Sequence, residues 1–231
     1  MADNTVRGLP GVREDRTATP RNIVFKDPEF LSNGKVIAGS VSRDPLNTGD
    51  LDVLRAGVLM GEITSTYKYA PSVLGVLASA YDKDGSANTT MTVSAATAVE
   101  LNRRIGSSGD FQISGPPSAN GTLVSETVTY SAVNVTTGVI TVSAAAADYV
   151  ACSLIQPTDG SETIKTLIFD AYGIKVTDSD EDNIDVQYAR VLVGGEIDAS
   201  QIVNYGTDTS VQGYIQSALG AVGRYIFDDD F

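Results

Sequence analysis

The sequence predicts a mainly β protein: a small β-barrel or tulip-like host domain with one or two short helices, plus an inserted β-rich module. Three observations carry that reading. Short runs of Ile, Val, Leu, Tyr and Thr recur along the chain, bounded by Gly, Pro, Asn and Asp, as in KVIAGSV, GVITVS and YVACSLI. Such residues suit a pleated, half-buried surface, and the boundary residues make turns. Few stretches carry a helical period, and composition shifts near residue 86 to Ala, Thr, Ser, Val and Gly, returning near residue 157.

Residues 1–22 are poor in apolar side chains and hold Arg7, Arg13, Arg16 and Arg21. Such a segment buries too little surface to offset its ordering entropy, which predicts an arm that is flexible when free. Its slightly basic balance contrasts with the acidic remainder. Two readings follow: a frayed terminus, or an arm that orders on a partner and offers Ile23, Val24 and Phe25 as a short strand to a neighbouring sheet edge.

The host domain spans residues 23–85 and 158–231. Its first part reads as short strands with bends at Gly39, Gly57, Gly61 and Gly75. LDVLRAGVLMG is read as strand, because Gly57 and Gly61 would each cost about 1 kcal/mol inside a helix. The module, residues 86–157, opens with a helix over 95–105, capped by Ser94, burying Ala98, Leu101 and Ile105, and ended by Gly106. Four strands follow, with Thr136, Thr137 and Gly138 forming one turn. The flanking loops share the tripeptide Asp-Gly-Ser, which suggests an insertion with its ends close together.

The host resumes with a long hairpin, strands over 167–176 and 184–193, joined by a loop carrying Asp178, Asp180, Glu181, Asp182 and Asp185. Asp198 is placed to cap a short turn. Asp208 is placed to cap a helix over 209–219 that buries Val211, Tyr214, Ile215, Ala218 and Leu219, with Gly220 closing it. A last strand, GRYIF, runs into an acidic tip that blunts its edge.

Composition narrows the chemistry. The 231 residues contain no His and a single Cys, Cys152. These absences remove the Ser-His-Asp triad, His-containing zinc sites, the intrachain disulfide and the multi-cysteine metal site. No phosphate-cradling glycine motif is present. Against a calcium loop the acidic run fails at Asn183, where the turn glycine belongs, and at Ala189, where the bidentate glutamate belongs, so it reads as a solvated tip without metal. A formal charge of −13 opposes binding to nucleic acid or an anionic membrane and directs attention to a protein partner. The N-terminus lacks the apolar core of a secretory signal, and no apolar run is long enough to cross a bilayer, so Asn88, Asn120 and Asn134 read as turn residues rather than glycosylation sites. A carboxylate-pair hydrolase is a weak reading, since Trp is absent and aromatics are few for a sugar cleft.

The run DGSETIKTLIFDAYGIKVTDSDEDNIDVQYARVLVGGEIDASQI, followed by ALGAVGRYIF, resembles the C-terminal two-thirds of the lambda-type head decoration proteins of tailed bacteriophages. In that family an Asp-Gly turn leads into an apolar strand ending near a Gly-Ile pair, here Gly173 and Ile174. A polar loop, a second strand, a capped helical segment and a final apolar strand follow. LRAGVLMGEIT and the arm sit where the family has its first strand and N-terminal segment, and residues 86–157 resemble the β module inserted in longer members. The resemblance implies a capsid decoration, or cement, protein that is not an enzyme and needs no cofactor. It would be made in the host cytoplasm and act as a homotrimer on the outer virion surface, bound to the major capsid protein. Arg7, Arg13, Arg16 and Arg21 would meet capsid carboxylates, and Ile23, Val24 and Phe25 would add to capsid strands. The alternative is a carbohydrate- or cell-surface-binding module displayed on a virion, with residues 86–157 carrying the activity.

Overall fold

Glycine punctuation and period-two patterning produce many short strands and few helices in the computed structural model, which describes residues 23–178, 180 and 182–228. Strand outweighs helix by 37% to 15%, making the protein mainly β. In chain order the strands before the first helix are β1 (Val24–Phe30), β2 (Lys35–Ile37), β3 (Val53–Leu54), β4 (Leu59–Glu62), β5 (Tyr69–Pro71), β6 (Gly75–Val76) and β7 (Thr90–Thr92). Helix α1 (Ala95–Arg104) leads to β8 (Gly109–Gly115), β9 (Val124–Asn134), β10 (Val139–Val142) and β11 (Leu154–Gln156). Then come β12 (Ile164–Leu167), β13 (Ile174–Lys175), β14 (Val186–Tyr188), β15 (Leu192–Asp198), helix α2 (Thr209–Val222) and β16 (Arg224–Asp228).

Four sheets result. A six-stranded sheet runs β6-β11-β8-β9-β10-β7, a five-stranded one β12-β4-β5-β2-β14, a three-stranded one β1-β15-β16, and β13 pairs with β3. The six-stranded sheet folds over α1 around a core of Met91, Leu101, Phe111, Ile113, Tyr130, Ile140 and their neighbours. Its first strand, β6, and the core residues Leu74, Leu77 and Tyr81 lie ahead of residue 86, so this layer takes in chain on the host side of the compositional boundary. A second core joins the three-stranded sheet to α2 through Ile23, Leu59, Leu192, Ile197, Val211, Ile215 and Leu219.

The two helices obey their capping signals. Ser94 Oγ accepts from the Thr97 amide, and Asp208 accepts from the Ser210 and Val211 amides. Helix α1 stops at Arg104 with Ile105 as C-cap, but α2 runs past Gly220 to Val222, and Gly223 is its C-cap. A side chain at Gly220 would meet nothing within 4 Å, so that glycine carries only the modest propensity cost of an exposed helix interior. Asp208 also accepts from the Asn120 amide, tying the module to the start of α2. Asp208→Ala is expected to cost about 1–2 kcal/mol, read as a lower urea midpoint with unchanged slope.

The predicted hairpin over 167–193 is replaced by a different arrangement. Its segments pair elsewhere: β12 with β4, β13 with β3, β14 with β2, and β15 with β1 and β16. Only the tip is hairpin-like, through the Thr177–Asn183 bridge and the Ile184 amide donating to Val176 O at 2.9 Å. Apolar alternation marks a strand without naming its partner, and Gly173, at φ 77°, turns the chain away after a break at 168–173.

Module and host are clamped together. Arg104, 1% exposed, donates to Val41 O, Pro71 O, Asp159 and Ser161, while Arg103 holds Ser40 O, Val41 O and Glu100. Both arginines come from the last turn of α1, where their charge also complements the helix dipole. A second seam runs through buried Gln156 and Ser114, whose side chains hydrogen-bond to the Tyr214 hydroxyl oxygen on α2.

Candidate interaction surface

The arm residues Arg7, Arg13, Arg16 and Arg21 lie outside the described residues. The strand-forming trio divides. Ile23 is 1% exposed inside the host core, and its carbonyl accepts from the Asp198 amide at 2.8 Å. Val24 packs against the same core and pairs with Ile197. Phe25 lies in β1, between the paired residues Val24 and Lys26. Ile23 is therefore a fixed anchor of this fold, and β1 is paired along one side within its own chain. The cause is burial: in β1 the apolar end satisfies the α2-backed core before any partner arrives.

Ile23 lies at the end of a sheet whose outer strands, β1 and β16, pair with no further strand among the described residues. On β16, Tyr225 and Phe227 pack toward the core while Arg224 and Ile226 face outward, with Ile226 65% exposed. Burial raises the Tyr225 hydroxyl pKa against the opposing hydrogen bond from Thr166, and that hydroxyl donates to Leu192 O at 2.6 Å. The sequence reading placed the edge strand but missed its apolar exposure. The signal was the alternation of Arg224 and Ile226 with Tyr225 and Phe227.

The acidic loop is organised by its own backbone. Asp178 Oδ1 accepts from the amides of Asp180 and Asp182 at 2.9 and 3.0 Å. Asp185 is occupied by Lys68 at 2.5 Å and by the Gly39 amide, and the Lys68 hydrogen bond is the main cause that holds its carboxyl below the usual range. Among the described residues no group of three or more His, Cys, Asp or Glu is placed to hold a metal ion. A cavity between Arg43, Asp44, Val58, Pro71 and Val203 has about 10 Å³ of room, enough for a water molecule and far below the several hundred Å³ of an organic ligand site. No described helix is long and apolar enough to cross a membrane.

Fold and surface together define a mainly β protein whose second sheet is hydrogen-bonded to the first part of the chain through Arg103 and Arg104. Comparison with protein-family models, with curated proteins and with solved structures finds no match to this chain.

Proposed function

We propose that this protein is a capsid decoration protein of a tailed bacteriophage, binding the outside of the major capsid lattice as a homotrimer and stabilising the head without catalysis. The observation that carries the reading is the anchored root of the arm. Ile23 is locked into the host core, so a slightly basic segment departs from a fixed point on a strongly acidic body. Such a segment suits acidic residues on a partner lattice, and three arms per trimer would combine modest contacts into firm attachment. The resemblance of the host segments to lambda-type decoration proteins supports the same reading. The acidity of the body disfavours nucleic acid, anionic membrane and self-association beyond the trimer.

Deleting residues 1–22 keeps the Ile23 anchor and is expected to leave a folded trimer whose affinity for decoration-free heads falls by about 100-fold or more, the size of a lost multivalent contribution. Co-sedimentation with such heads and native mass spectrometry measure the two properties. Undiminished binding by the truncated protein would overturn the proposal.

A further inference from the structure

We infer that Asn33 is a site of spontaneous covalent modification, in which the Gly34 backbone nitrogen attacks the Asn33 carboxamide and converts position 33 to a mixture of aspartyl and isoaspartyl forms. A glycine that follows asparagine or aspartate is the least hindered nucleophile, because no Cβ blocks the approach of its nitrogen to the preceding side chain. The chain holds four such steps, at Asn33-Gly34, Asp84-Gly85, Asn120-Gly121 and Asp159-Gly160. The fold ties the nucleophile in three of them. The Gly85 amide donates to Asp82 O at 3.2 Å, the Gly121 amide to Ser118 O at 2.8 Å, and the Gly160 amide to Glu162 Oε2 at 2.7 Å. The Gly34 amide has no acceptor among the described residues, and Asn33 and Gly34 are both exposed in the bend between β1 and β2.

The carboxamides of the two asparagines differ in the same direction. Asn120 Oδ1 accepts from the Thr209 hydroxyl and amide, which holds that side chain on the start of α2. No hydrogen bond holds the Asn33 side chain to a described residue, so it can rotate toward the Gly34 nitrogen. Hydroxide removes the Gly34 N–H proton, and the nitrogen bonds to Asn33 Cγ. The carboxamide C–N bond then breaks, and its nitrogen takes a proton from water and leaves as ammonia. Water opens the resulting cyclic imide at either carbonyl, so the net change consumes water and releases ammonia, with no oxidant or reductant. Either product adds a negative charge to a chain at −13, and the isoaspartyl product also routes the main chain through the former side chain, lengthening it by a methylene. That extra length falls between two pins: the Leu31 amide donates to Val191 O at 3.0 Å, and Lys35 pairs with Tyr188. There is little slack, since even a Cβ on Gly34 would come within 2.7 Å of Tyr188 O. The isoaspartyl form therefore loosens the start of β2 against β14.

The reaction needs no partner, and the inference stands apart from the capsid reading. Its test is incubation of the folded full chain in mildly alkaline buffer, followed by peptide mapping with mass spectrometry against a synthetic isoaspartyl peptide. The peptide containing Asn33 is expected to gain one mass unit and to split into aspartyl and isoaspartyl products. Asn120 should convert about tenfold or more slowly, the factor expected when the hydrogen bonds on its side chain and on the Gly121 amide must open first. In concentrated urea that protection should vanish and the two rates converge. Equal rates in the folded chain, faster conversion at Asn120, or conversion of Asn33 only after unfolding overturns the inference. Aged wild type should also show a lower urea midpoint than an equally aged Asn33→Gln variant, and equal midpoints would overturn the coupling to β2.

Discussion

Arg104→Met is expected to lower folding stability by about 3 kcal/mol, the lower end of the range for removing one partner of a buried ion pair. The Arg104 side chain sits 1% exposed between module and host, while the side chain of its partner Asp159 keeps 36% exposure and can rehydrate. The larger loss is therefore on the arginine side, where the carbonyls of Val41 and Pro71 and the Ser161 hydroxyl lose a shared donor. Urea unfolding followed by circular dichroism measures the shift. Its pH dependence has a definite sign. Burial acts to raise the Asp159 carboxyl, but the Arg104 charge and the hydrogen bonds from Ser161 and Arg104 outweigh it and hold the pKa below the ordinary value. The pair's contribution is then full above the unfolded carboxylate range and fades as acid protonates Asp159, so the stability gap between wild type and variant should narrow below about pH 4.

Gly61→Ala is expected to cost about 2–3 kcal/mol, from the overpacking of a site without slack. Gly61 lies in β4, opposite Ala70 on one side and Ile164 on the other, and a Cβ there would overlap the backbone carbonyl of Ser161. A backbone obstacle cannot rotate away, so the β12–β4 register must give. Because Ser161 also receives Arg104, the two substitutions should be non-additive, with a coupling of about 0.5–3 kcal/mol in a double-mutant cycle. Additive losses would show that the clamp and the β4 register respond independently.

Local signals in the sequence survived into the structure. Ser94 and Asp208 cap α1 and α2 because short polar side chains satisfy free helix amides whatever lies farther away. Asp198 caps the 3-10 turn Ala199–Gln201 for the same reason. The strand reading of LDVLRAGVLMG also held, with Gly57 at φ 91° forming the bend between β3 and β4. Non-local pairing was not legible. Nothing in the residues of 167–193 states that four different strands will take them, and nothing in Arg103 or Arg104 announces that the last turn of α1 will seize Ser40, Val41 and Pro71. At the candidate surface, the apolar character of Ile23 was visible, but whether it faces a partner or its own core depends on α2, which arrives nearly 190 residues later.

That separation has a consequence for synthesis. In the three-stranded sheet Val24 waits for Ile197, and the parallel neighbour β16 closes the sheet only at its far end. The six-stranded sheet needs nothing beyond Gln156 to complete its strands. On the ribosome, that sheet can assemble around α1 while β1 still lacks a partner. High contact order then makes the joining of the chain's two ends the late and slow step of folding. Early packing of the module brings residues 75 and 155 together, which shortens the remaining loop and reduces the entropy cost of that final closure.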